Sequence, residues 1–169
     1  LIDKFTEVDF HPNVVDNHTM GQVFEELLRK FSEMSNETSG EHYTPRDIVK
    51  LLVSLVFSEG KDNLQGEGII RSIFDPCCGT GGMLSIGKEW VQENISKDVR
   101  FNLLGQELNP QTFSICKSDF LITGEDPDKI KLGSSLSNDQ FEGNTFDYMI
   151  TNPPFGARVE KSLKITEAD

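Results

Sequence analysis

The sequence of 169 residues has no long apolar run and little positive charge. No stretch approaches the roughly 20 apolar residues that a membrane-spanning helix needs, and no basic and then apolar leader opens the chain. We therefore expect a cytoplasmic protein without a membrane segment. The hydrophobic share of 36% is ordinary for a globular domain, and a chain of this length can bury a core.

Cysteine and histidine are scarce. Cys77 and Cys78 are adjacent and Cys116 stands alone, so they form neither an even disulfide framework nor a paired C-x-x-C metal site. We expect reduced thiols. The histidines lie at no metal-ligand spacing, and no metal site is predicted. They are His11, His18 and His42.

Basic residues are outnumbered by acidic ones, 16 to 28, which gives a net charge of −12. A protein that holds nucleic acid by itself usually presents a basic patch. Any grip on nucleic acid must therefore come largely from elsewhere. The sequence also starts without Met and ends in a polar stretch, 159–169, which has no strand or cap pattern, so we expect a fragment.

The first third of the sequence predicts helices. Apolar residues recur at i, i+3, i+4 and i+7 spacing over 20–34, which is typical of an amphipathic helix. A second helix is expected from Pro45 to about residue 58, with Thr44 as the cap and Asp47 completing a capping box. The polar, glycine-rich stretch 60–68 predicts a loop. We place the domain division there: a helical N-terminal segment over 1–66 and a second unit over 67–169.

Strand and helix patterns alternate after that loop, which predicts an α/β fold with about four parallel strands and right-handed crossovers. Asn109 and Pro110 supply a cap and a first-turn proline for one of the helices. Strands are expected over 69–74, 101–106, 130–132 and 146–151, and helices over 82–94 and 110–123.

Asp75-Pro-Cys-Cys-Gly-Thr-Gly-Gly82 follows the first of these strands. Ligands of open α/β sheets bind beyond the carboxyl ends of the strands, where a glycine-rich turn allows close approach to the backbone. The carboxylate of Asp75 favours an ammonium or sulfonium over a pyrophosphate. Glu107 ends the next strand, where it can accept hydrogen bonds from two ribose hydroxyls. The alternatives are a structural turn and a solvated strand-end charge.

Asn152-Pro-Pro-Phe155 follows the last predicted strand. Each proline fixes its own φ and restricts the residue before it, so the Asn152 side-chain oxygen and the Pro153 carbonyl can converge on one amino group. Accepting both hydrogens of an exocyclic amine favours a tetrahedral nitrogen that can attack a methyl group. Phe155 could stack on the base. The alternative is a plain Asn-Pro turn with a core phenylalanine.

These motifs, in this order, resemble the γ-type amino-methyltransferases that use S-adenosylmethionine. The segments Asn17-His-Thr-Met-Gly-Gln-Val-Phe-Glu-Glu26 and Asn36-Glu-Thr-Ser-Gly-Glu-His-Tyr-Thr-Pro-Arg46 narrow the match to the modification subunit of type I restriction-modification systems. The resemblance implies a partial Rossmann-like S-adenosylmethionine-dependent methyltransferase sheet, preceded by the helical N-terminal segment. It also implies transfer of a methyl group to N6 of adenine in DNA.

The resemblance also implies roles for individual residues. Gly79, Thr80, Gly81 and Gly82 would form the turn beneath the methionine end of the cofactor, close to Asp75. Glu107 would bind the ribose. Asn152, Pro153, Pro154 and Phe155 would receive an adenine flipped out of the duplex. The segment that closes over the cofactor would consist of Glu41, His42, Tyr43, Thr44, Pro45 and Arg46.

The implied partners are a specificity (S) subunit, a restriction (R) subunit, a second modification subunit and double-stranded DNA, which is held mainly through the complex. One departure lies at Ser134 and Ser135, where many relatives carry an acidic residue or amide that contacts the cofactor's adenine. The family's sheet has seven strands, so we also expect an exposed apolar edge on the last strand of this chain.

Three other functions remain open. A protein glutamine-amide methyltransferase would share the second motif, usually with Tyr in place of Phe155. The fragment could instead act only as a cofactor-binding or assembly module. A dinucleotide-dependent oxidoreductase ranks last, because the glycines do not give G-x-G-x-x-G spacing and Asp75 would repel a pyrophosphate.

Overall fold

The computed structural model describes residues 44–154 without a gap, together with positions 9, 11, 14, 15, 19, 23, 26, 27 and 30. Residues 44–154 form three α-helices and four strands. In order they are α1 (Arg46–Glu59), β1 (Ile70–Asp75), α2 (Gly82–Asn94), β2 (Arg100–Glu107), α3 (Pro110–Thr123), β3 (Ile130–Leu132) and β4 (Tyr148–Met149), with short 3-10 turns at Lys61–Leu64 and Pro127–Lys129.

The four strands form one sheet in the order β3-β2-β1-β4, and every pairing is parallel. Asp75 of β1 lies opposite Gly105 of β2, which in turn lies opposite Ile130 of β3. The carboxyl ends of all strands therefore meet at one edge. The predicted four-stranded parallel sheet is confirmed, and β4 lies at its outer side next to β1.

One hydrophobic core joins α1 to the sheet. Val49, Val53 and Phe57 of α1 are buried in the same cluster as Ile73 of β1 and Leu84 of α2. Their i, i+4, i+8 spacing places them on one face of the helix. Residues on both sides of the predicted division at residue 66 thus share a core, while the division into two units stays a prediction.

Most of the predicted helix over 20–34 lies outside the described residues. The described positions within it, Val23, Glu26, Leu27 and Lys30, are helical. The Lys30 ammonium lies 3.8 Å from the Glu26 carboxylate, one helical turn away.

The last strand is shorter than the predicted 146–151 and covers only Tyr148–Met149. At its start, the backbone N–H and the hydroxyl of Ser72 both donate to the Asp147 carboxylate at 2.7 Å, so a side chain replaces the backbone ladder there. At its end, the Ile150 N–H still donates to the Phe74 carbonyl. The two prolines that follow Asn152 have no N–H with which to continue the ladder.

The Asp147 carboxylate therefore ties the start of β4 to β1. Partial burial raises its pKa, but the two hydrogen bonds from Ser72 and the charge of Arg71 outweigh this and hold the pKa below the ordinary 3.8. Arg71 Nε lies 3.8 Å from the carboxylate. Since the folded state prefers the ionised form, this contribution to stability is present above pH 3.8 and is lost as the pH falls through the lowered pKa.

We expect Asp147→Asn to lower the free energy of unfolding by about 1 kcal/mol at pH 7, because neutral hydrogen bonds replace charged ones. The difference from wild type should shrink as the pH falls from 3.8 through the lowered pKa, where the folded wild-type carboxyl becomes protonated. Urea denaturation at several pH values measures both effects. Asp98→Asn, at an exposed position, is the matched control, and an equal loss in the two variants would contradict the assignment.

Candidate active site

The carboxylate of Asp75 lies at the carboxyl end of β1 and is only 1% exposed. Its Oδ1 accepts a hydrogen bond from the Cys77 N–H at 2.9 Å, whereas its buried Oδ2 has no donor among the described residues. Burial raises the pKa of Asp75 to about 6, with the Cys77 and Thr151 groups acting against the rise. The Thr151 hydroxyl, which acts to lower this pKa, is also buried and has no hydrogen-bond partner in the described part of the chain.

The turn after Asp75 is built from backbone that glycine adopts easily. Gly79 and Gly81 have φ of +56° and +85°, and Gly81 is the N-cap of α2. A Cβ atom on Gly81 would lie 2.8 Å from the Cys116 Sγ and 3.0 Å from the Phe120 ring, so α3 closes the space behind the turn. A side chain at Gly82 would meet nothing within 4 Å. The turn is thus packed on its inner side and open at the start of α2.

The carboxylate of Glu107 links this turn to the next one. Its Oε2 accepts from the Gly79 N–H at 2.8 Å and its Oε1 from the Asn109 N–H at 2.7 Å. Asn109 in turn caps α3, since its side chain accepts from the Gln111 and Thr112 amides. The predicted start of that helix is confirmed. Glu107 is half-buried and bonded on both oxygens, so it is not simply a solvated strand-end charge.

Gln106 is a site residue that the sequence did not suggest. Its side chain is fully buried, donates to the Asn138 carbonyl at 2.8 Å and accepts from the Gln140 N–H at 3.1 Å. These bonds fasten the loop between β3 and β4 to the edge of the sheet at which the strands have their carboxyl ends. An amide beside Glu107 in an apolar strand was the available signal.

The hydroxyls at the end of β3 are engaged with backbone. Ser135 donates to the Pro76 carbonyl in the turn after β1, and the Ser134 hydroxyl accepts from the Leu136 N–H at 3.3 Å. The loop that follows β3 is therefore held against the Asp75 turn as well as against Gln106.

Asn152 follows β4 and lies near the N-terminal end of α1. Its Nδ2 donates to the Thr44 hydroxyl at 3.0 Å, across 108 residues of sequence. The predicted capping box is wrong, because the N-cap of α1 is Pro45 and makes no side-chain cap bond. The Thr44 oxygen is used in the long-range contact instead. Pro153 and Pro154 are exposed.

Some predicted site residues lie outside the described part of the chain: Phe155, Glu41, His42 and Tyr43. Arg46 is described and is the first residue of α1. Asp75 and Glu107 are the last residues of β1 and β2, and Thr80 and Asn152 lie on the connections that follow β1 and β4, at the same edge of the sheet.

The three cysteines, all within the described range, are free. Burial raises the pKa of the Cys77 thiol, and contact with the Cys116 thiol raises that of Cys78. Thiols with raised pKa values are poor nucleophiles at neutral pH. Cys78 instead packs against Gly105: a Cβ atom added to Gly105 would lie 2.9 Å from the Cys78 sulfur.

The sheet and its helices match solved methyltransferases. A type I restriction-modification system methyltransferase subunit from Streptococcus thermophilus superposes with a TM-score of 0.65 at 23% identity, over 90% of this chain and 30% of that one. A Listeria monocytogenes protein titled as a class I S-adenosylmethionine-dependent methyltransferase gives 0.65 at 20% identity, over 88% and 43%. The fold is that of the S-adenosylmethionine-dependent methyltransferases, as predicted.

The sequence comparison defines the family. The N-6 DNA methylase family model matches residues 15–168, and the chain belongs to that family. The methylase subunit of the type I restriction enzyme MjaIX from Methanocaldococcus jannaschii is 32% identical over 155 residues, which are 92% of this chain and 26% of that protein. The chain spans about a quarter to a third of the length of the curated relatives it matches. The predicted resemblance is confirmed.

No helix in the described ranges combines the length and the apolar character needed to cross a membrane.

Gly81→Ala should destabilise the protein by about 2 kcal/mol or more, because it adds both left-handed strain and a methyl group against Cys116. Gly124→Ala is the matched control, since Gly124 has a similar φ of +78° and open space around its Cβ position. The control should lose about 1 kcal/mol. Urea denaturation compares the two, and an equal loss would contradict the packing of the turn against α3.

Proposed function

We propose that this chain carries the cofactor site and the catalytic motif of an adenine-N6 DNA methyltransferase, as part of the modification subunit of a type I restriction-modification complex. The observation that carries the proposal is the meeting of two groups at neighbouring strand ends. A buried carboxylate with an unpaired oxygen, Asp75, ends β1, and the amide of Asn152 follows β4, which pairs directly with β1. Open parallel sheets bind their ligands at this edge.

S-adenosylmethionine fits the first of these groups, the buried carboxylate of Asp75. Its ammonium would supply the hydrogen-bond donor that Asp75 Oδ2 lacks, and Glu107 retains acceptor capacity for ribose hydroxyls beside its two backbone bonds. The turn from Gly79 to Gly82 lets a ligand approach the backbone. When bound, the cofactor supplies an electrophilic methyl group. A pyrophosphate would meet two carboxylates here, which disfavours a dinucleotide.

The second group, the amide of Asn152, suits an exocyclic amine as its hydrogen-bond donor. The Asn152 Oδ1 and the Pro153 carbonyl would accept its two hydrogens and favour a nitrogen lone pair that points out of the base plane. Adenine N6 is paired inside duplex DNA, so the base must be flipped out to reach the site. Phe155 would stack on it, which is worth about 1 to 3 kcal/mol in comparable contacts. The family match favours adenine over a glutamine amide as the acceptor.

Other chains must supply the grip on DNA. With a net charge of −12, this chain repels phosphates on the whole, whereas DNA is held largely by Lys and Arg side chains that neutralise phosphates and release the counterions condensed on the DNA. We therefore assign DNA reading to a specificity subunit, and we include a second modification subunit and a restriction subunit in the complex. The complex would act in the cytoplasm. Residues 1–66 and 67–169 would correspond to the cofactor-closing segment and the catalytic domain.

Calorimetric titration of the chain should show saturable binding of S-adenosylmethionine and none of NAD. Because the pKa of Asp75 is about 6, only about a tenth of the carboxyl is ionised at pH 5, so the affinity should fall about tenfold between pH 7 and pH 5. Asp75→Asn should weaken binding and remove this pH dependence, whereas Asp98→Asn should change neither. Binding of neither ligand would contradict a complete cofactor site on this chain.

Asn152→Ala in the full-length subunit, assembled with its partners, should abolish methyl transfer and leave the affinity for S-adenosylmethionine within about twofold. The reason is that the amide would contact the acceptor base and not the cofactor. Transfer of tritium from labelled cofactor to unmethylated DNA measures the first effect, and calorimetry measures the second. Normal turnover by this variant would overturn the catalytic assignment.

A further inference from the structure

The contact between Thr44 and Asn152 joins two segments to which sequence resemblance gives separate tasks. Thr44 belongs to the segment that closes over the cofactor, and Asn152 to the motif that receives the base. In the structure the Asn152 Nδ2 donates to the Thr44 hydroxyl at 3.0 Å. We infer that Thr44 is a positioning residue of the methyl-transfer reaction, whose hydroxyl fixes the orientation of the Asn152 amide. The inference rests on the proposed function.

A side-chain amide has a donor end and an acceptor end of nearly the same shape. A half-turn about its last bond would exchange the two, and the base amine would then face NH2 instead of a carbonyl oxygen. Two donors facing each other make no hydrogen bond. Because the Thr44 oxygen takes up the Nδ2 end, the carbonyl end of the Asn152 amide is directed away from Thr44. In the structure this hydrogen bond restrains the amide in the orientation that can accept from an amine.

Both partners of this contact are held by the fold. On one side Pro45 fixes the backbone after Thr44, and its carbonyl accepts from the Ile48 and Val49 amides in the first turn of α1. Val49 is 2% exposed and belongs to the core, so α1 cannot shift without disturbing that core. Because the backbone beside Thr44 is fixed in this way, the Thr44 hydroxyl can orient a second side chain.

On the other side, the Ile150 N–H donates to the Phe74 carbonyl at 3.1 Å and attaches the chain to β1 just before the motif. Pro153 restricts the backbone of Asn152 itself. Backbone restraint places the Asn152 side chain but does not decide which end of its amide points which way. The hydrogen bond with Thr44 adds the restraint on the amide itself.

This role differs measurably from a contact with the cofactor. A hydroxyl that bound the cofactor would, when removed, raise the cofactor's dissociation constant. A hydroxyl that orients Asn152 would, when removed, lower kcat and leave cofactor binding unchanged, since misplacement of a reacting group acts on the chemical step.

The test uses the full-length subunit with its partner subunits, tritium-labelled S-adenosylmethionine and DNA from a strain without adenine methylation. Thr44→Val removes the hydroxyl and keeps the shape of the side chain. We expect kcat to fall between about 10-fold and 100-fold, with the cofactor dissociation constant within about twofold of wild type. Thr44→Ser keeps the hydroxyl and should restore at least half of kcat.

Thr123→Val is the matched control, because the Thr123 hydroxyl donates to the Asp119 carbonyl at 2.8 Å near the end of α3 and is remote from the motif. It should leave kcat unchanged. Thermal unfolding of each variant reports its stability. If Thr44→Val is less stable than wild type, Thr44→Ala replaces it in the test, because alanine places no methyl group where the hydroxyl was. The same fall in kcat and the same unchanged cofactor dissociation constant are expected.

Three results would overturn the assignment of Thr44: a Thr44→Val enzyme as fast as wild type, a loss of cofactor affinity with kcat intact, or no rescue by serine. A wild-type complex that transfers no methyl group to DNA would instead overturn the proposed function, and the role of Thr44 with it. The two failures are distinguishable because the second appears before any substitution is made.

Discussion

The buried carboxylate of Asp75 is the constraint around which this edge of the sheet is arranged. Removing a carboxylate from water is costly unless hydrogen bonds or opposite charge compensate it. Here one oxygen receives the Cys77 N–H and the other receives no donor from the described residues, so burial raises the pKa to about 6. Between pH 4 and pH 6 the folded state therefore holds a proton that the unfolded state has lost, and stability falls as the pH rises through this range. The fold alone does not explain such a group, whereas a cationic ligand would compensate it.

Gly105 and Cys78, two small residues beside the Asp75 carboxylate, lie in close contact. Asp75 is opposite Gly105 in β2, and any side chain at Gly105 would meet Cys78 at 2.9 Å. The Cys78 N–H donates to the Gln106 carbonyl, which brings the turn after β1 over the end of β2. Glu107 then reaches back to the Gly79 N–H. The ends of β1 and β2 thus fix each other, and the two carboxylates proposed to bind the cofactor are placed by the same backbone contacts.

Local signals predicted the elements that local chemistry determines. The pair Asn109-Pro110 is typical of a helix start. In the structure the Asn109 side chain caps α3 by accepting two backbone hydrogen bonds. The alternation of apolar runs and helical periods likewise predicted the order of strands and helices. The bounds agree to within about a residue for β1, β2 and β3. These features depend on neighbours in sequence, which a single chain displays directly.

The misses depend on partners distant in sequence. Thr44 had the right spacing for a capping box, but Asn152 occupies its hydroxyl from 108 residues away. The last strand looked longer because its apolar residues extend beyond the ladder, while Asp147 bonds Ser72 across 75 residues. Gln106 offered only one local signal, an amide in an apolar strand, since its hydrogen bonds form only once the loop after β3 folds back onto it. Side-chain contacts of this range compete with local propensity, and sequence spacing does not record them.

The candidate site and the proposed DNA substrate are both negatively charged. This repulsion affects how cofactor binding and DNA binding would be divided between chains. A cationic cofactor requires carboxylates such as Asp75 and Glu107, yet the same carboxylates repel the phosphates that flank a flipped base. In the proposed function Asn152 would resolve this locally, because a neutral amide can accept from adenine without adding negative charge where DNA would enter. It adds no attraction either, and the whole chain is acidic. In the proposed function, attraction to DNA would then come from basic surfaces on other parts of the complex, and its dependence on salt would belong to those surfaces rather than to the edge that holds Asp75 and Asn152.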